Sequence, residues 1–255
     1  MMKNSLAAIA KRQKDILELL QQKEQMTPFE LAERLNVSIS TIRRDLGLLE
    51  EKNEITRTYG YCSYNYKNKT DFDQTGPELL KQAIAREASN YINDYDTVFI
   101  NSSSTALKTI EFIRAKHLTV VTNNIKIKDS FHKKNCNYIL TGGEIRFPKE
   151  ILVGDLALNT ISSMNADVCI IGCSGVSLEN GITTKILNEA NINEMMIKKT
   201  FKCKILVADH RKIGLTSKFK IADISVFDYL ITDQFCSETI LTKIKNMGVN
   251  VIKLT

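Results

Sequence analysis

Two adjacent arginines, Arg43 and Arg44, follow Ser40 and Thr41 inside the run SISTIRRDLGLL. Guanidinium forks present paired donors that match the guanine edge in a DNA major groove, and nearby hydroxyls suit phosphate oxygens. A second group is the run Asn101, Ser102, Ser103, Ser104 and Thr105, which follows the apolar stretch Val98 to Ile100. Four consecutive hydroxyl side chains and free backbone N–H groups at a helix start make an anion site. Further loops offer TNN with Asn123, TGGE with Gly142 and Gly143, GCSGVSLENGITT, and ADHRK with Asp209 and Lys212. Hydroxyls, glycine turns, a carboxylate and a lysine together suit a phosphate at one end of a ligand and sugar hydroxyls at the other.

The arginines need a rigid support, and Thr27 to Leu49 supplies one. Thr27 is a cap, Pro28 fits the first helical position, and Glu30 closes a capping box three residues later. Leu31, Ala32 and Leu35 give this helix one apolar side. Asn36 and Val37 make the turn, because asparagine tolerates the left-handed backbone, and Ser38 caps the second helix. At about 100° per residue, Ile39, Ile42, Leu46 and Leu49 share one sector, which is predicted to face a core. Ser40, Arg44 and Gly47 point the opposite way, flanked by Thr41 and Arg43. Gly47 costs the helix about 1 kcal/mol relative to alanine, a cost that a close approach of DNA would explain.

An amphipathic segment, Leu6 to Leu20, adds a third helix with Ile9, Ile16, Leu17 and Leu20 inward. Ile55 to Tyr59 alternate as a strand, and Tyr61, Cys62 and Tyr64 return around Gly60, so the unit reads as a winged helix. Arg57 and Tyr59 sit where a wing reaches the sugar-phosphate backbone; a solvated hairpin edge accounts for them equally well. The stretch LAERLNVSISTIRRDLGLLEEKNEITRTYGY resembles the amino-terminal domain of the DeoR family of bacterial transcription regulators. Asn53 and Tyr61 stand where that family's pattern carries glycines.

The chain has 255 residues, 43% of them hydrophobic, which is enough for two domains. Residues 1–64 are expected to bind DNA, the polar stretch 65–75 to link, and 76–255 to sense an effector and oligomerise. The net charge of +6 is spread over both halves, so it does not mark the DNA-binding part. Six scattered cysteines without a Cys-x-x-Cys pair read as reduced thiols, and three histidines are not spaced for metal. Neither a metal nor a cofactor is expected. No apolar run reaches the roughly 18 residues of a membrane span, so a cytoplasmic protein without membrane partners is expected.

Beyond residue 76, short apolar runs recur between helical segments: Val98 to Ile100, Leu118 to Val121, Tyr138 to Leu140, Val168 to Ile171, Ile205 to Val207, Tyr229 to Ile231 and Val249 to Ile252. That alternation predicts an α/β domain, a parallel sheet covered on both faces, with ligands at the carboxyl ends of its strands. The loops, in order, resemble the DeoR effector domain, which is similar in fold to ribose-phosphate isomerase. NSSST stands for the family's D-S-G-T-T loop, and VGDLA, NEA and ADHRKIG align with its later motifs. The resemblance implies a phosphate cradle at Ser102 to Thr105, Glu189 among the effector residues and Lys212 as a charge partner. It also implies a homo-oligomer, dimer or tetramer, that binds an operator in double-stranded DNA under control of a phosphorylated sugar.

Two other readings compete. An isomerase-like enzyme would need a carboxylate base near the phosphate loop, and Glu189, Asp209 or Asp96 could be offered; an enzyme, however, has no use for a capped recognition helix, and catalytic residues are not expected. A winged helix used for protein contact would need an exposed apolar anchor, for which the sequence offers only Leu48.

Overall fold

The computed structural model describes residues 6–23, 25–52, 54–58, 60–64, 76–130 and 136–254. They form two compact units, Met1–Leu79 and Leu80–Thr255. The predicted linker, 65–75, and Tyr59 lie outside the described residues.

In the first unit, α1 (Leu6–Gln22), α2 (Pro28–Leu35) and α3 (Ile39–Glu51) precede a hairpin of β1 (Ile55–Thr58) and β2 (Tyr61–Tyr64). The hairpin turns at Gly60, which has a φ of 83° that a side chain would oppose. Met26 and Cys62 exchange both backbone hydrogen bonds, at 3.0 and 2.7 Å, and so fasten the entry to α2 onto the wing. Ile16, Leu20, Met26, Leu31, Ile42, Leu46, Leu49 and Ile55 fill one core. Ile39 departs from its predicted place, being exposed rather than inward. It occupies the first turn of α3, whereas the later members of its sector, Ile42, Leu46 and Leu49, are buried.

The second unit begins within α4 (Pro77–Ser89) and is built on seven parallel strands. In chain order these are β3 (Thr97–Ile100), β4 (Leu118–Thr122), β5 (Cys136–Leu140), β8 (Ala166–Gly172), β11 (Thr200–Val207), β13 (Tyr229–Thr232) and β14 (Asn250–Lys253). Each corresponds to a predicted apolar run, and their spatial order is β14-β13-β11-β8-β3-β4-β5. Alternate residues serve opposite layers. Val98, Ile100, Val120, Val168, Ile170 and Val207 pack with α4 and α5 (Ser104–Phe112). Phe99, Val121, Cys169, Ile171 and Leu206 pack with α6 (Asp155–Ser162), α7 (Leu187–Lys198) and α8 (Glu238–Lys245). Burial on both faces is what makes each strand a continuous apolar run in the sequence.

Two small antiparallel additions were not legible in the sequence. The hairpin β6 (Glu144–Arg146) and β7 (Ile151–Val153) follows the glycine pair, and β9 (Gly175–Ser177), β10 (Gly181–Thr184) and β12 (Phe219–Ala222) form a three-stranded flap. Each strand holds only three or four residues, and glycines, charged residues and hydroxyls interrupt most of them, so no apolar run marks them as a set.

Candidate DNA-reading face and effector site

The recognition helix is anchored at its start and along its inner side. Ser38 has an extended backbone, and its Oγ accepts from the N–H of Thr41 at 3.2 Å; the same oxygen lies 2.8 Å from the hydroxyls of both Ser40 and Thr41. One turn earlier, Thr27 and Glu30 complete a reciprocal capping box, with Thr27 N–H donating to the carboxylate at 2.7 Å and Glu30 N–H donating to the hydroxyl at 3.2 Å. Thr27 also donates its own hydroxyl proton to Glu30, so its oxygen is committed to the helix rather than held out for DNA. Asn36 sits at φ 51°, ψ 47°, the left-handed turn expected between the helices.

Arg43, Arg44 and Ser40 are exposed, while Ile42, Leu46 and Leu49 on the other side are buried. Asp45 is 2% exposed on that inner side, a placement that the spacing of apolar residues does not announce. The Arg12 guanidinium of α1 meets it through Nε and, at 3.3 Å, through a second nitrogen. That contact with Asp45 raises the Arg12 pKa above its ordinary value, although burial opposes the shift. Among the described residues nothing lies within 4 Å of where a Gly47 Cβ would stand, so no packing among them accounts for the glycine.

On this face one predicted contact residue has a partner within the domain, and one expectation needs correction. Arg57 lies 3.5 Å from Glu50 of α3, so the wing guanidinium is engaged within the domain; both side chains are well exposed, and such pairs contribute at most about 1 kcal/mol. Leu48 is not alone as an exposed apolar side chain, because Phe29 and Ile39 are exposed too and line a shallow groove with Ala32 and Val37.

At the carboxyl edge of the large sheet, side chains tie the predicted loops together. Asn101 is buried and crosslinks β3 to β8: its Nδ2 donates to Gly172 O at 2.8 Å, and its Oδ1 accepts from the N–H groups of Gly172 and Ser103 at 3.0 and 3.2 Å. Asn124 donates to Ser102 O at 3.1 Å, which joins the loop after β4 to the loop after β3. Ser103 caps α5 by accepting from Ala106 N–H, and Thr105 is buried. Of the five residues, therefore, Ser102 and Ser104 remain at the surface beside the helix start, while Asn101, Ser103 and Thr105 shape the loop. A Cβ on Gly172 would fall 2.0 Å from Ser103 Oγ, so this contact requires glycine. Gly143, at φ 110°, likewise brings its Cα so near Val153 O that a Cβ would stand 2.4 Å from it, whereas Gly142, at φ 71°, faces open space.

Asn123 is fully buried and exchanges hydrogen bonds with the backbone of Leu152 at 2.7 and 3.1 Å, holding β7 against the end of β4. Lys212 donates its N–H to Asp209 O at 2.9 Å and accepts from Val176 N–H at 2.9 Å, which fixes it between β11 and the flap. Its charge reaches Cys173, whose thiol burial pushes up to about 11 while Lys212 pulls the other way.

The three carboxylates offered as an enzymic base are all committed. Asp96 precedes β3 at the opposite edge of the sheet and binds Lys202 Nζ at 2.9 Å. Asp209 is fully buried and held by Arg211 through Nε at 2.9 Å and a terminal nitrogen at 2.7 Å. Glu189, 2% exposed, accepts from Lys149 Nζ at 2.9 and 3.2 Å and from Thr184 Oγ1 at 2.7 Å. Lys149 was missed from the sequence, because 40 residues separate it from its partner. His210 was missed as well. Its Nδ1 lies 3.0 Å from both oxygens of buried Asp233. Asp209, His210 and Asp233 approach one another closely enough to suggest a cation site, but Arg211 occupies the first carboxylate, and the second also accepts from the His210 and Phe235 N–H groups.

A capped helix pair with a wing, preceding a parallel-sheet α/β domain, is the architecture of a two-domain DNA-binding regulator rather than an enzyme. The comparisons with known proteins agree. Residues 12–68 match the DeoR-like helix-turn-helix domain and residues 78–234 the DeoR C terminal sensor domain. The chain is 33% identical to the HTH-type transcriptional regulator GolR of Listeria innocua, over 94% of this chain and 96% of the relative. It is 32% identical to the HTH-type transcriptional repressor GlcR of Bacillus subtilis, over 93% of each, and 30% identical to the Glycerol-3-phosphate regulon repressor of Escherichia coli, over 87% and 90%. The chain belongs to the DeoR family of transcription regulators. No helix among the described residues is long and apolar enough to cross a membrane.

Proposed function

We propose that this protein represses genes of sugar or nucleoside catabolism and releases or reshapes its hold on the operator when a phosphorylated sugar binds the second domain. The observation that carries the reading is the stitched carboxyl edge, where Asn101 and Asn124 tie the loops after β3, β4 and β8 together beside the start of α5. An anion is stabilised there by helix-start N–H groups and a lysine together. The names of two relatives, a repressor and a glycerol-3-phosphate regulon repressor, favour repression and a phosphorylated ligand.

On the DNA side, Arg43, Arg44 and Ser40 read the major groove from α3, Thr41 and Ser38 fix its start against a phosphate, and Gly47 admits close approach. Arg57 exchanges Glu50 for a backbone phosphate, which costs little because that pair is solvent-exposed. Two copies present two recognition helices to half-sites one helical turn apart, so the working form is a dimer or tetramer. Effector and operator affinities are then reciprocally coupled. The test is operator footprinting with Arg44→Ala: one lost base contact should cost about 1–3 kcal/mol and relax specificity at that position. An unchanged footprint would remove Arg44 from the reading. On the ligand side, thermal shifts should grow with the concentration of a phosphorylated sugar and not of its unphosphorylated parent.

A further inference from the structure

The Lys149–Glu189–Thr184 cluster has no role in the phosphate cradle, yet it is continuous with it. Asn124 binds Ser102 O, Ile125 N–H donates to Glu150 O at 3.2 Å, and Asn123 holds Leu152 from both sides. Those bonds set the β6–β7 turn, and with it Lys149, against the loop that follows β4. Within the same seam the Oδ1 of Asn123 is buried without a hydrogen-bond partner among the described residues.

We propose that Lys149, Glu189 and Thr184 form the end of the effector site that recognises a vicinal diol, opposite the end that takes the phosphate. This assignment rests on the phosphorylated-sugar reading above. A carboxylate offers about four acceptor positions and an ammonium three donors, so the pair retains capacity beyond its own contacts. Glu189 is 2% exposed while the Lys149 side chain is 37% exposed, so the lysine is the outward member. A diol meets Lys149 first: one hydroxyl accepts from the ammonium, and its neighbour donates to a Glu189 oxygen in place of one Lys149 contact. Thr184 keeps the carboxylate oriented during the exchange. Loss of the exchange leaves an anion site that accepts phosphate with no preference for what is attached to it.

The experiment titrates the full chain with inorganic phosphate, ribose 5-phosphate and glycerol 3-phosphate by calorimetry. The wild type should favour the two diol phosphates over inorganic phosphate. Lys149→Met alone strands a buried carboxylate, so the paired change Lys149→Met with Glu189→Gln, which removes both charges, guards the fold. In that variant the advantage of the diol phosphates should shrink roughly tenfold or more. A separate arm, Ser104→Ala with Lys212→Ala, should weaken all three ligands alike and so reports on the phosphate reading by itself. The assignment is overturned if the paired variant weakens all three equally or none. It is equally overturned if the wild type binds phosphate without favouring diols. Failure of the wild type to bind any of the three sinks the phosphate reading, and this assignment with it.

Discussion

Removing Asp45 should unfold the DNA-binding unit well before the rest of the chain. Its carboxylate is 2% exposed beneath α3 and receives two nitrogens of Arg12, whose side chain keeps 14% of its exposure. Asp45→Ala strands that guanidinium under the recognition helix. Breaking a buried pair in this way costs about 3–5 kcal/mol, and the residual access of water to Arg12 sets the lower end, about 3 kcal/mol. For a domain of this size that loss lowers the melting midpoint by roughly 10–25 °C. The chain has no tryptophan to report on the transition. Hydrogen exchange of the α3 amides therefore resolves it, with exchange accelerated about a hundredfold in Asp45→Ala. Replacing both partners, Arg12→Met with Asp45→Leu, removes the stranded charge and should restore most of the protection. If the single variant loses less than about 1 kcal/mol, or the double loses as much as the single, the stranded-charge argument fails.

Gly172→Ala drives a methyl group into Ser103, whose own Cβ would stand 2.4 Å away, so the phosphate loop must shift; ligand-induced thermal stabilisation should vanish, and a retained shift would show that the Ser103–Gly172 contact is dispensable. Ser104→Ala with Lys212→Ala should give an operator complex that no longer responds to phosphorylated sugars in a gel-shift titration. Cys173, held near 11 by burial, carries roughly one thiolate in a thousand at pH 8, so disulfide exchange reagents should modify it only on unfolding; rapid labelling of the native protein would refute that environment. The same raised pKa means that its contribution to stability is full below about pH 9, the ordinary thiol value, and is lost as pH climbs toward 11, so Cys173→Ala should flatten the alkaline fall in melting temperature.

The sensing domain shows why some of these features were readable and others were not. Strands buried on both faces must be apolar, so the central strands announced themselves as short hydrophobic runs, and the partly exposed edge strands β5 and β14 still carry apolar stretches. The strands of the two antiparallel additions are three or four residues long and set among loops, and they left no comparable mark. The 101–105 loop stood out by composition, yet composition counted five equivalent residues where the structure distinguishes a crosslinking Asn101, a capping Ser103 and a buried Thr105 from Ser102 and Ser104.

Local chemistry along the chain determined the capping box, the left-handed Asn36, the exposed arginines of α3 and the order of elements in both units, because each depends on neighbours within a turn or on a periodicity of a few residues. Tertiary structure alone decided the pairs that cross the fold: Arg12 with Asp45, Lys149 with Glu189, His210 with Asp233, and Asn101 with Gly172. Their partners stand 33, 40, 23 and 71 residues apart. A charge at one position carries no trace of its partner at such a distance. Packing brings the two together, and burial then makes the pairing obligatory, because an unpaired charge or amide out of reach of water costs more than the fold can spare.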